Sequence, residues 1–159
     1  MSLIKPSGPA PARIMIVAEF PSEGDFRSGV VLSDGNGSTF NDMLKDAGIL
    51  RSQCYMTSAL KIRPPRGEIE SLIATKKKDI TAEHTITREK HVLPVVCDHM
   101  QMLAREIEQV RPNVIIALGN TALWMLTGAW SATSWRGSMM ECDLPLALDY
   151  KPKVLPTLP

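Results

Sequence analysis

Apolar residues along this chain follow two rhythms. Short, nearly unbroken apolar runs stand at "RIMIVA" (residues 13–18), "CYMTSAL" (54–60), "NVIIALG" (113–119) and, more weakly, "KVLPT" (153–157). A run of that length without polar alternation is the pattern of a strand covered on both faces. Between the runs, apolar positions recur three or four residues apart. Phe40, Met43, Leu44 and Ala47 share one face of "STFNDMLKDAG", which opens on Ser38 and Thr39 as cap candidates and stops at Gly48. Val96, Met100, Leu103, Ile107 and Val110 do the same in "VVCDHMQMLAREIEQVRP", which ends before Pro112. "NTALWMLTG" starts on Asn120 as a cap and ends at Gly128. Strands alternating with helices specify parallel β-α-β units with right-handed crossovers. The expected architecture is α/β, three layers α/β/α, around a short, mainly four-stranded parallel sheet.

Two segments break the rhythm. Residues 1–12 are rich in Pro, Gly and Ser and read as a flexible arm. About residues 66–91, containing "KKKDITAEHTITREK", are charged and weakly periodic and read as a surface insert. Neither is a linker that would divide the chain, so residues 1–159 are expected to form a single domain.

Charge and cysteine usage narrow the function classes. Eighteen Lys and Arg stand against 17 Asp and Glu, a net charge of +1. No global field therefore draws the chain to nucleic acid or membrane, and any polyanion site must be a local cluster. Cys54, Cys97 and Cys142 are odd in number and widely spaced, which argues against a disulfide framework or a cysteine metal site and fits a reducing compartment. No apolar run approaches the roughly 18 residues of a spanning helix, and the first residues lack a signal peptide's apolar core. The expectation is a cytoplasmic protein without membrane contact. His84, His91 and His99 are too scattered to ligate a metal and read as surface or cap residues. Trp124, Met125 and Leu126 read as core.

Open parallel sheets bind ligands at the carboxyl ends of their strands, and three strand ends here carry unusual chemistry. After the first run comes "AEFPSEGDFRSGVVLSDGNG" (residues 18–37), too long for an ordinary connection. It offers the carboxylate of Glu19, a turn fixed by Pro21, and glycines at 24, 29, 35 and 37 that let backbone N–H groups approach a phosphate or a planar ring. A surface lid, with glycines for flexibility alone, is the alternative. The second run opens into "YMTSALKIRPP", where Ser58 could hydrogen-bond a ligand. Lys61 and Arg63 follow on alternate positions of a segment stiffened by Pro64 and Pro65, so both cations are expected on one side of a ridge suited to a phosphodiester backbone. A solvated exit loop would carry the same residues. The third run ends at Gly119–Asn120, the start of a helix whose free N–H groups and dipole favour an anion.

These segments, in this order, resemble the uracil-DNA glycosylase superfamily, in particular its thermophilic iron–sulfur branch and the related domains attached to some phage DNA polymerases. Ala18-Glu19-Phe20-Pro21-Ser22 fills the place of the family's G-E-x-P-G. Residues 29–37, "GVVLSDGNG", fill that of G-x-P-F-x-G-x-x-G. "GILRSQCYMTSALKIRPP" is similar to G-I-x-R-x-x-x-Y-x-T-N-x-x-K-x-R-P-P, "RPNVIIALGNTAL" to P-K-V-I-V-A-L-G-x-x-A, and "WRGSM" with "VLPTLP" to the run from R-G toward T-x-H-P.

The resemblance implies a DNA-binding domain that draws a flipped base into a cleft between the glycine loop and the strand ends. It implies Glu19 as the catalytic carboxylate and a base pocket of Phe20, Pro21, Leu32, Ser58 and Asn120. DNA-backbone contacts would come from Ser22, Gly29, Gly37, Lys61, Arg63, Gly119, Arg136 and Thr157. The departures are equally specific. Ser58 replaces the Asn that reads the pyrimidine edge, Leu32 replaces the stacking Phe, Phe20 replaces a small residue, and the family's His falls on Pro159. Of the four cluster cysteines, two would precede the first strand, where this chain has none; the third position holds Ile62 and the fourth His99. No iron–sulfur cluster, metal or other cofactor is therefore expected. The expected function is hydrolysis of the N-glycosidic bond of a flipped uracil or damaged base. The alternative, favoured by the missing Asn and His, is a catalytically inactive module that keeps the fold to bind DNA or a replication protein. Expected partners are single-stranded or uracil-containing DNA and a DNA polymerase or other replication protein, with the chain itself a monomer.

Overall fold

In a computed structural model, which describes residues 3–32 and 35–157 and only the backbone of 35–39, the four apolar runs become four neighbouring parallel strands. These are β1 (Ile14–Ala18), β2 (Tyr55–Ser58), β6 (Val114–Leu118) and β8 (Lys153–Thr157), in the spatial order β2-β1-β6-β8. A fifth strand, β7 (Met140–Glu141), closes that edge antiparallel to β8. It is two residues long, too short to leave a periodic signal, so the sheet has one strand more than the sequence suggests. Ala18 pairs with Ser58, and Leu118 with Thr157. The four parallel strands thus finish level, and the chain leaves β1, β2 and β6 along one edge.

Both faces of the sheet are covered. Met15, Val17, Ile115, Ala117 and Val154 point toward α3 (Pro94–Val110) and α4 (Asn120–Thr127), where they meet Leu103, Ile107, Leu123 and Trp124. Ile16, Ala18, Met56 and Leu118 point the other way, onto Phe40 and Leu44 of α2 (Gly35–Asp46) and onto Ile4. The strands are β-branched and two-sided, and the result is the three-layer α/β/α arrangement. Helix α2 starts three residues before the expected cap, so Ser38 and Thr39 lie inside it. At α4 the cap position is Gly119, and Asn120 is already the first helical residue.

The amino-terminal segment is not a free arm. The Ile4 N–H donates to the Lys61 carbonyl at 3.2 Å, Ser7 and Met56 exchange hydrogen bonds at 2.9 and 2.7 Å, and the Ala12 N–H donates to Val110 at 3.1 Å. Its Pro and Gly residues limit and shape the backbone, while buried Ile4 anchors it beside β2. Nor is the charged segment wholly superficial. It folds into β3 (Ile73–Ala74), β4 (Thr85–Thr87) and β5 (Lys90–Val92), an antiparallel sheet in the order β3-β5-β4. Leu72, Ile73 and Val92 of this segment enter the main core while Lys76, Lys77 and Lys78 stay exposed. Among the described residues, no helix is long and apolar enough to cross a membrane.

Candidate active site and nucleic-acid interface

The long connection after β1 is organised by a short helix, α1 (Glu23–Ser28). Ser22 caps it: its hydroxyl accepts the Asp25 N–H at 3.0 Å, and the Asp25 carboxylate accepts the Ser22 N–H at 3.2 Å. Gly29 closes the helix at φ 75°, a left-handed conformation. Both residues therefore hold the turn in shape, the Ser22 hydroxyl oxygen by accepting a backbone N–H. Gly37 falls in the first turn of α2. Ser33, Asp34 and Pro159 lie outside the described residues.

Glu19 sits where β1, β6 and β8 end. Its backbone is fixed beyond the strand, because its carbonyl accepts the Leu60 N–H at 3.0 Å. Its Oε1 accepts the Thr121 N–H at 3.2 Å, in the first turn of α4. Gly119 lets the side chain reach that turn; a Cβ there would fall 2.4 Å from Oε1. The Gly119 N–H donates in turn to the Thr157 carbonyl at 2.9 Å, so both residues frame the carboxylate. Burial pushes the Glu19 carboxyl above its ordinary range, and the Thr121 and Asn120 N–H groups partly oppose that rise. Such a group can take a proton from water or face a developing cation. The Asn120 side chain is turned elsewhere: Oδ1 accepts the Ala132 N–H at 2.8 Å and ties α4 to α5 (Ala132–Trp135).

The β2 side of the edge differs from the expected ridge. Arg63 lies partly exposed with its guanidinium 5.8 Å from the Phe20 ring centroid, and Pro21 is buried beneath the turn. A cleft of about 380 Å³ is lined by Glu23, Phe26, Arg63, Pro64 and Arg66. Lys61, by contrast, faces the core, 3% exposed. Its Nζ lies 2.5 Å from Glu106 Oε1 and donates to Thr57 Oγ1 at 2.9 Å and to the Ser58 carbonyl. The cations presented at this edge are Arg63 and Arg66, and Lys61 is not a backbone contact. The reason is electrostatic: Glu106, on α3, offers a buried counter-ion within reach of residue 61.

Around this pair the core is polar. The Tyr55 hydroxyl donates to Glu106 Oε2 at 2.7 Å, and the Lys61 N–H donates to His99 Nδ1 at 2.9 Å. Burial lowers the Lys61 pKa against the pull of Glu106. Burial and the Glu106 carboxylate raise Tyr55, and burial, then the Lys61 charge, lowers His99. His99 is thus a buried core acceptor, neither a surface residue nor a cap.

The base-pocket expectation for Ser58 also changes. Ser58 is fully buried and donates to the Leu60 carbonyl at 2.6 Å, so its hydroxyl is turned into the backbone. Leu32 adopts φ 60° and packs against the α2-side core. Its neighbour Val31 is held by Arg51, whose Nη2 donates to the Val31 carbonyl at 2.7 Å while Nη1 bonds Asn41. Arg51 is a positioning residue that periodicity does not reveal; its one sequence signal is its place in the G-I-x-R run. At the far side, Arg136 is exposed just after α5.

An iron–sulfur cluster does not fit the residues present. Ile62 has no donor atom and His99 commits Nδ1 to a backbone N–H. Among the described residues, no three His, Cys, Asp or Glu side chains are grouped to hold a metal.

A family model, the uracil DNA glycosylase superfamily, matches residues 6–158. Two curated relatives are type-4 uracil-DNA glycosylases. The one from Thermotoga maritima is 31% identical over 111 residues, covering 70% of this chain and 47% of the relative. The one from Archaeoglobus fulgidus is 32% identical over 111 residues, covering 70% and 45%. The chain thus matches a little under half the length of these relatives.

Proposed function

The chain belongs to the uracil DNA glycosylase superfamily, and from that premise we propose that it binds DNA across the carboxyl edge of its sheet and hydrolyses the N-glycosidic bond of an extruded uracil. Glu19 is the catalytic carboxylate. Water adds through its oxygen to C1′, the C1′–N1 bond breaks with its electron pair going to the base, and Glu19 accepts the proton that water gives up. The same carboxylate favours the positive charge that builds on the sugar. The observation that carries this reading is the Glu19–Thr121 clasp over Gly119, at the meeting point of three strand ends.

Base recognition is the weaker half of the site. Ser58 is bonded to Leu60 and supplies no amide to the base edge. One well-placed donor to a departing anion is worth about 2.7–4 kcal/mol, so turnover is expected to be slow. That observation also favours the second reading, a DNA-binding module that retains the fold without catalysis.

The proposal extends to the remaining contacts. Phe20, Pro21, Leu32 and the Asn120 backbone border the base, while Arg63, Arg66 and Arg136 meet phosphates, with Gly29, Gly37, Gly119 and Thr157 shaping the edge between them. The chain acts in DNA repair in the cytoplasm as a single-domain monomer without a cofactor. Beyond DNA its partner is a DNA polymerase, as in the phage polymerase-attached domains, or another replication protein; the exposed Lys76–Lys78 face of the insert gives such a partner a charged surface.

The test uses a 5′-labelled, uracil-containing single strand with the protein in excess, followed by alkali to cut abasic sites. Cutting that disappears in Glu19→Gln supports the hydrolase. Absence of cutting by the wild-type chain overturns it, and salt-sensitive binding without cutting establishes the module instead.

A further inference from the structure

Trp135 is an exposed aromatic at the carboxyl edge that the proposed hydrolysis does not use. The segment carrying it is tied at both ends to the elements that frame Glu19. The Ala132 N–H donates to Asn120 Oδ1 at 2.8 Å, and the Gly137 N–H donates to the Pro156 carbonyl at 3.2 Å. Within it, Ser131 caps α5 by accepting the Ser134 N–H at 3.2 Å, and the Trp135 N–H donates to the Ser131 carbonyl at 3.2 Å. On this tethered segment Trp135 is 44% exposed, Arg136 follows it into solvent, and Met139 is 57% exposed. The other two tryptophans are engaged. Trp124 is fully buried, and Trp130 meets Trp124 edge-on at 6.4 Å and the Lys90 ammonium at 4.5 Å.

An indole face beside a guanidinium matches an unpaired nucleobase with its phosphate, since stacking is indifferent to sequence and the cation takes the backbone. Position selects the same occupant. Strands β2 and β8 are three spacings apart in the sheet, on the order of 14 Å. Arg63 and Arg66 lie past β2, Glu19 past β1, and Trp135–Arg136 beside the end of β8. A single strand laid along this edge would meet cations at both ends with Glu19 between them.

We propose that Trp135 is a stacking platform for a base flanking the target nucleotide, with Arg136 on the adjoining phosphate. This rests on the DNA-binding reading above, and the experiment separates the two. A labelled oligothymidylate, which contains no uracil, is titrated with the chain while strand anisotropy and tryptophan emission are both recorded. Binding quenches emission. In Trp135→Leu the quench is lost and affinity falls about 5- to 150-fold, whereas Trp135→Phe keeps most of the affinity. Arg136→Ala lowers the slope of log affinity against log salt by about 0.7. If the strand binds and Trp135→Leu changes neither quench nor affinity, the stacking platform is wrong and DNA binding stands. If Trp135→Leu fails to fold, Trp135→Phe decides instead: it keeps a ring but no indole, so an undiminished quench in that variant overturns the proposal. If no strand binds the wild-type chain, both readings fall.

Discussion

Gly119 and Glu19 occupy each other's space: a Cβ on Gly119 would lie 2.4 Å from the Glu19 Oε1 atom. Gly119 also holds φ 91° and ψ 178°, a region of backbone space open essentially to glycine alone. Gly119→Ala therefore meets two obstacles, backbone strain of about 1–3 kcal/mol and a carboxylate that must move off the Thr121 N–H. Urea titration is expected to show a loss of at least that size. Excision by the folded fraction is expected to fall toward the level of Glu19→Gln. An alanine variant that excises like the wild type would show that the clasp is dispensable.

Glu19→Gln should separate stability from chemistry. Its carboxyl is raised by burial, so the folded state holds a proton more readily than the unfolded chain, and ionisation at neutral pH works against folding. Glutamine removes that charge and can still accept the Thr121 N–H. The expected result is an unchanged or higher melting temperature at pH 7 with excision lost. In the wild type, excision should rise with pH through a value above the ordinary carboxylate range, since the ionised form takes the proton. A pH–rate profile that is flat from pH 4 to 8 would remove Glu19 from the proton-transfer step.

The buried Lys61–Glu106 pair gives a cycle with a definite sign. Lys61→Met leaves the Glu106 carboxylate without its counter-ion inside the core and is expected to cost about 3–5 kcal/mol. Glu106→Gln keeps an acceptor for the Tyr55 hydroxyl but strands the ammonium, at a comparable cost. The double variant removes both charges and should cost less than the two singles together, by about 0.5–3 kcal/mol. Denaturant midpoints measure all four corners. Strict additivity would mean the two groups do not interact.

How much of this was legible depends on the range over which each cause acts. Runs such as "NVIIALG" predict β6 because two-sided burial acts on each residue independently of its partners. Trp124 was legible as core for the same reason. Lys61 was not, because its placement depends on Glu106, 45 positions away in the sequence, and nothing within "KIRPP" separates an inward lysine from an outward one. The amino-terminal segment misled because Pro and Gly were read as freedom, whereas Ile4 and Ser7 are fixed by bonds to Lys61 and Met56. Glu19 was legible from its motif and place at a strand end. Its clasp by Thr121 depends on Gly119, which the sequence shows only as a helix start.

His99 gives the remaining pH dependence. Its Nδ1 accepts the Lys61 N–H, so the folded state requires the neutral ring, and burial together with the Lys61 charge lowers its pKa against the opposing pull of Asp98. The unfolded chain titrates near 6.5. As pH falls below that value the unfolded state takes up the proton first, so the His99 contribution shrinks, by at most about 1.4 kcal/mol per pH unit, until the folded ring is protonated too. Glu19 acts in the opposite sense over acid pH, because its raised pKa favours the protonated folded state. The two are separated in the Glu19→Gln background, where denaturant stability is expected to decline from pH 7 to pH 5. Adding His99→Gln should flatten that decline, since an amide accepts the same N–H without titrating. If the decline persists unchanged without the imidazole, the acid sensitivity resides in another group.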